Sequence, residues 1–99
     1  MLYSLTDKLK FDGKPQIEVN GKILTIDNSA VTVLKLVDTV QNGGELAGAK
    51  AVTELLFNEK DRKIIEKLGL SVGDYIKFCE VCMDLALGND PDQKESGEA

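Results

Sequence analysis

The chain has no histidine, no tryptophan and a single arginine, Arg62. The missing histidine removes the commonest general base, the usual switch near neutral pH and the commonest metal ligand together. One arginine leaves almost no capacity for bidentate recognition of phosphates or base edges. A net charge of −5 works in the same direction, because affinity for nucleic acid comes largely from basic side chains neutralising phosphates. No nucleic-acid partner is expected. Apolar runs are short and broken by polar residues, well below the ~20 residues of a membrane-spanning helix, so no membrane association is expected. The N-terminus lacks the basic patch and apolar run of a secretory signal, which points to the cytoplasm. Aromatics make up only 5% of the residues, so the core must be built mainly from Leu, Ile, Val and Ala.

What is present suits one small domain. Ninety-nine residues, 42% hydrophobic and 29% charged, can bury roughly 60–70% of the surface the unfolded chain exposes. That is enough for one core without a disulfide or metal staple. The expected class is α+β and mainly helical. A small β-hairpin or meander within about residues 7–27 precedes about four helices over 29–88, and an acidic tail over 89–99 is expected to be disordered. The tail carries Asp90, Asp92, Glu95 and Glu98 against Lys94, with Pro91, and has too little apolar surface to order itself.

The β part rests on alternation and turn chemistry. Leu9 and Phe11 alternate with charged residues before Asp12-Gly13, and Ile17 and Val19 alternate with Gln16 and Glu18 before Asn20-Gly21. Ile23, Leu24 and Ile26 follow. Asn-Gly and Asp-Gly favour tight hairpins because both central positions of a type I′ turn need positive φ. Pro15, lacking an N–H, delays the start of the middle strand or places it at an edge.

The period then becomes helical. Asn28 or Ser29 is a good N-cap, with Leu34, Val37, Val40 and Gln41 on a stripe that Val33 and Leu36 widen. Gly43-Gly44 ends this first segment. A second runs from about Glu45 to Phe57 on Ala47, Ala51, Val52, Leu55 and Leu56. Its small residues Ala47, Gly48, Ala49 and Ala51 would let a neighbouring helix approach closely. A third covers roughly Asp61 to Leu68, with Gly69 as its cap. The fourth opens at Ser71-Val72-Gly73-Asp74, a capping box with Asp for Glu. It carries Tyr75, Ile76, Cys79, Cys82, Met83 and Ala86 on one face, and Gly88 ends it.

Few residues invite chemistry. Cys79-Glu80-Val81-Cys82 has the spacing of a redox pair or half a zinc site. Zinc would need further ligands, and a redox pair expects its first cysteine at a helix N-terminus, whereas both thiols fall about two turns in, on the apolar side. Core packing is the expected role, and a thiol redox or metal protein the alternative. The carboxylates form no acid–base pair, and no glycine loop joins a strand to a helix to cradle phosphate. No catalytic residue, cofactor site or metal site is therefore assigned. The dense charges from Glu59 to Lys67 read as a solvated helix face laced with i,i+4 pairs, or else as a docking patch. Phe57, Tyr75 and Phe78 read as core, yet an exposed aromatic on a helical domain would mark a protein-binding surface. These three are the candidate partner-binding residues, and Phe78, partly off the apolar stripe, is the first of them.

Several segments together carry a resemblance. They are Lys8-Leu9-Lys10-Phe11-Asp12-Gly13-Lys14, the helical Val33-Leu34-Lys35-Leu36-Val37 and Val52-Thr53-Glu54-Leu55-Leu56-Phe57. The most specific are Leu68-Gly69-Leu70-Ser71-Val72-Gly73-Asp74-Tyr75 and the closing Leu87-Gly88-Asn89-Asp90-Pro91. Over about residues 7–95 this arrangement resembles the tail assembly chaperones encoded by phages and prophages of Gram-positive bacteria. The paired cysteines and the Asn20-Gly21 hairpin lie outside that pattern. The resemblance implies a non-enzymatic, cofactor-free protein of the bacterial host cytoplasm, absent from the mature virion. It implies binding to the tape measure protein, which is kept soluble, and help in recruiting tail tube subunits. It also implies a longer form made by frameshifting near the C-terminus. A small cytoplasmic adaptor or regulator with another partner is the alternative.

Overall fold

The hairpin forms where its turn demands it. In the computed structural model, which describes residues 1–6, 9 and 13–91, β1 (Gln16–Val19) pairs antiparallel with β2 (Lys22–Thr25), Val19 opposite Lys22 and Gln16 opposite Thr25. Asn20 (φ 50) and Gly21 (φ 80) both take the positive φ of a type I′ turn. Pro15 sits just before β1, and its carbonyl accepts the Ile26 N–H at 2.9 Å, extending the ladder by the one bond proline permits. Ile17, Val19, Leu24 and Ile26 share the inner face, while Ile23 faces solvent. The further strand expected around Leu9 and Phe11, with Asp12 of its turn, lies outside the described residues except for Leu9, which is exposed. Most of the acidic tail, from residue 92, lies outside them as well.

Among the described residues three helices follow: α1 (Ala30–Leu56), α2 (Glu59–Leu68) and α3 (Val72–Ala86). The first is one span only nominally, because Gly44 inside it has φ 81 and ψ −170. An uninterrupted helix of 27 residues would be about 40 Å long. Yet the Asp27 N–H, just before its start, donates to the Leu56 carbonyl at its end, at 2.8 Å. A Cβ built on Gly48 would lie 3.8 Å from the Val40 Cα, although eight helical residues rise about 12 Å. The two arms, 30–43 and 45–56, therefore fold back on each other at Gly44. The break expected at Gly43-Gly44 is there, and with α2 and α3 it yields the four helical segments anticipated.

The caps are local and largely as the residues suggest. The Ser71 hydroxyl accepts the Asp74 N–H at 3.2 Å. At the end of α3, Gly88 (φ 83) donates to Leu85 and Asn89 donates to Asp84, the paired bonds of a Schellman ending. Gly69 (φ 63) closes α2. Two starts differ from expectation. The charged third segment becomes helical at Glu59 rather than near Asp61, because the Asn58 side chain accepts the Asp61 N–H at 2.8 Å. At α1, Ser29 occupies the N-cap position but makes no side-chain cap bond. Asp27 instead braces the entry to the helix, accepting the Ser29 N–H and the Thr32 hydroxyl, each at 3.0 Å.

The core is formed by Leu24 and Ile26 of the hairpin side, Val33 and Leu36 of the first arm, Val52 and Leu56 of the second, Ile65 of α2, and Phe78 and Cys82 of α3. Leu24, Ile26, Leu36 and Leu56 are almost fully enclosed, each contributing roughly 1.5–3 kcal/mol of burial. The first arm is rotated from the expected stripe. Val33 and Leu36 point inward, whereas Leu34 is 68% exposed and Gln41 lies outside. That segment is apolar on more than one side, so its spacing alone does not choose the buried face.

Candidate functional site

Folding α1 back on itself leaves a furrow. The first arm and the kink contribute Val40 and Gly44, the second arm Gly48, Ala49 and Val52, and α3 Ile76, Cys79 and Met83. Together they enclose an open groove of about 320 Å³ with apolar walls. Small residues make it possible. Gly48 is buried with no side chain to fill the furrow, and a Cβ there would come within 2.8 Å of Val40 Cγ2. Met83 and Ile76 stay half-buried along the α3 wall, and Met is the side chain best able to adapt to a contour.

The floor is pinned by polar bonds to one carbonyl. The Tyr75 hydroxyl donates to Ala49 O at 3.2 Å and pairs with the Thr53 hydroxyl, and the Cys79 thiol donates to the same carbonyl at 3.5 Å. Burial pushes the Tyr75 phenol above its ordinary value, so it stays a neutral donor. These bonds hold α3 against the second arm and fix the groove's width.

The candidate aromatics are distributed differently from a surface patch. Phe57 and Phe78 are buried, at 3% and 7% exposure, and stack on each other with centroids 5.9 Å apart. Phe78 thus presents no docking surface, because it closes the gap between the end of α1 and the middle of α3. Tyr75 is half-buried and acts through its hydroxyl. Cys79 and Cys82 are free and buried. Burial raises Cys79 to about 11 and Cys82 to about 12, with the neighbouring Glu80 and Cys79 adding smaller pushes. Such thiols are poor nucleophiles and poor ligands at neutral pH. Among the described residues, no group of three or more Cys, Asp or Glu is placed to hold a metal ion. No helix among them is long and apolar enough to cross a membrane.

The charged stretch turns out to be partly structural. Glu59 and Lys63 form the expected i,i+4 pair at 3.6 Å on the open face, worth under about 1 kcal/mol. Asp61, however, is buried, and its carboxylate accepts the Thr25 N–H at 3.1 Å on the side of β2 away from β1. Arg62 donates to the carbonyls of Glu54 and Phe57, both at 3.0 Å. It thereby satisfies the end of α1, whose own last turn carries no base. Sequence reading placed both residues on a solvated face, and only their tertiary neighbours reveal these roles. A second cleft, lined by Lys50, Glu54, Glu59, Lys63 and Glu66, is of mixed sign.

The chain matches no protein-family model, no curated protein and no solved structure.

Proposed function

We propose that this protein is a non-enzymatic chaperone of phage tail assembly that takes an amphipathic helix of its client into the groove between the arms of α1 and α3. The client is the tape measure protein, kept soluble in the host cytoplasm, with tail tube subunits recruited alongside it. The chaperone leaves before the tail is complete. The sequence resemblance supports the biological setting, and the groove is the observation that supports the mode of action. A helix laid into such a furrow buries residues at i, i+3, i+4 and i+7 while its polar side stays wet. Gly48 and Ala49 allow close approach along the floor, and Val40, Ile76 and Met83 supply the apolar contacts. No titratable or nucleophilic group is required, in keeping with the raised thiol and phenol values.

Co-expression with the tape measure protein encoded nearby, followed by pull-down and measurement of soluble client, tests this reading. Soluble client should co-purify with the wild type and with Leu34→Lys, a substitution on the exposed side of the first arm. It should separate from Ile76→Lys, which places a charge on the groove wall. A client that stays insoluble beside the folded wild-type chain would overturn the chaperone reading.

A further inference from the structure

The groove is not electrically neutral. Besides its apolar walls it has two charged lining residues, Glu45 on the second arm of α1 and Glu80 on α3. They stand on two different segments that line the groove, both are exposed, and among the described residues neither makes an ion pair. The bases nearest to them in sequence do not line the groove. Lys50 lines the mixed-sign cleft, and Lys77 lines no part of the groove. An apolar furrow lined by two carboxylates, with no cation paired to either among the described residues, disfavours an acidic or phosphate-bearing occupant and favours one whose apolar stripe is flanked by bases.

From this juxtaposition we infer that the groove selects client helices carrying Lys or Arg beside the apolar stripe, with Glu45 and Glu80 as the selecting residues. The inference rests on the helix-in-groove reading and specifies its partner class. The carboxylates act at the rim, where pairing is screened by salt. They therefore contribute specificity and association rate more than total affinity, which the apolar floor supplies.

The probes are three fluorescein-labelled peptides of about 18 residues, five helical turns, with one common apolar stripe and flanks of Lys, Gln or Glu. Anisotropy titration with the full chain should rank them Lys over Gln over Glu. The expected ratio between neighbours is about three- to tenfold at low salt, shrinking as the ionic strength approaches physiological values. The double variant Glu45→Gln/Glu80→Gln keeps helix-compatible side chains of equal size. It should bind the Gln peptide as the wild type does and lose the ranking to within about twofold. Equal binding of all three peptides to the wild type, or a ranking that survives in the double variant, would reject the charged selector while leaving the groove as a binding site. Failure of every peptide to bind would reject the groove itself. Sedimentation of the chain alone checks the remaining occupant: a dimer dispersed by Ile76→Lys would assign the groove to a second copy and overturn the inference.

Discussion

Replacing Gly44 by alanine isolates the feature on which the groove depends. At φ 81 and ψ −170, Gly44 occupies a region that essentially only glycine visits, and an L-residue there costs about 1–3 kcal/mol. The cost is purely torsional, because a Cβ at this position would meet nothing within 4 Å. The chain could escape the strain by straightening α1, which would gain up to about 1 kcal/mol of helix propensity. Straightening would break the Asp27–Leu56 bond and part the two arms. It would also expose enclosed side chains such as Leu36 and Leu56, at roughly 1.5–3 kcal/mol each. The fold therefore keeps its kink and bears the strain. Against a total of about 5–15 kcal/mol for a domain, Gly44→Ala should remove 1–3. Urea unfolding followed by circular dichroism, with a slope of about 1–2 kcal/mol per molar, should show the midpoint falling by roughly 0.5–3 M. Gly73→Ala is the control, since Gly73 lies in α3 with ordinary backbone angles and free space, so it should gain a few tenths to about 1 kcal/mol. A semisynthetic D-alanine at 44, whose preferred φ is positive, should not destabilise. A Gly44→Ala midpoint equal to or above wild type would refute the reasoning about the kink.

Other consequences follow from single contacts. Gly48→Ala drives a methyl to within 2.8 Å of Val40 Cγ2 and should cost about 1–3 kcal/mol, much of it recovered by adding Val40→Ala, as a double-mutant cycle on unfolding would show. Asp61→Ala orphans the Thr25 N–H and should cost about 1–3 kcal/mol, whereas Asp61→Asn keeps an acceptor and should lose less, measured by the same unfolding titration. Asp27 has its pKa lowered, first by the Ser29 N–H, so its contribution is complete above the unfolded value of 3.8 and is lost as pH falls through the lower folded value. The stability gap between wild type and Asp27→Asn should therefore narrow on acidification below that value, and a gap constant with pH would contradict the assignment. With thiols raised to about 11 and 12, neither cysteine should react appreciably with a disulfide reagent at neutral pH in the native state, and both should react in denaturant.

Several features of this protein are settled within a few residues of chain. Asn20-Gly21 makes a type I′ hairpin because both positions tolerate positive φ. Ser71 opens α3, Gly69 and Gly88 close α2 and α3, and Gly43-Gly44 breaks the long helical stretch, each through a backbone or cap preference that needs no distant partner. The small residues around Gly48 and the apolar face carrying Ile76 and Met83 were legible from side-chain size and helical spacing, the first as room for a neighbouring helix and the second as a face to be covered. What depended on tertiary structure was every choice between equivalent faces. Leu34 and Leu36 are chemically alike, yet one is exposed and the other enclosed, because the arm is apolar on more than one side and docking selects the rotation. Phe78 is core rather than surface because the end of α1 brings Phe57 against it. Asp61 and Arg62 leave the solvated face because β2 and the carbonyls of α1 present unsatisfied backbone groups there, and burying such groups unpaired costs more than bringing in a charged partner. Local torsional preference is written in the sequence, whereas the pairing of backbone groups and surfaces far apart in the chain exists only once the arms of α1 have closed on each other.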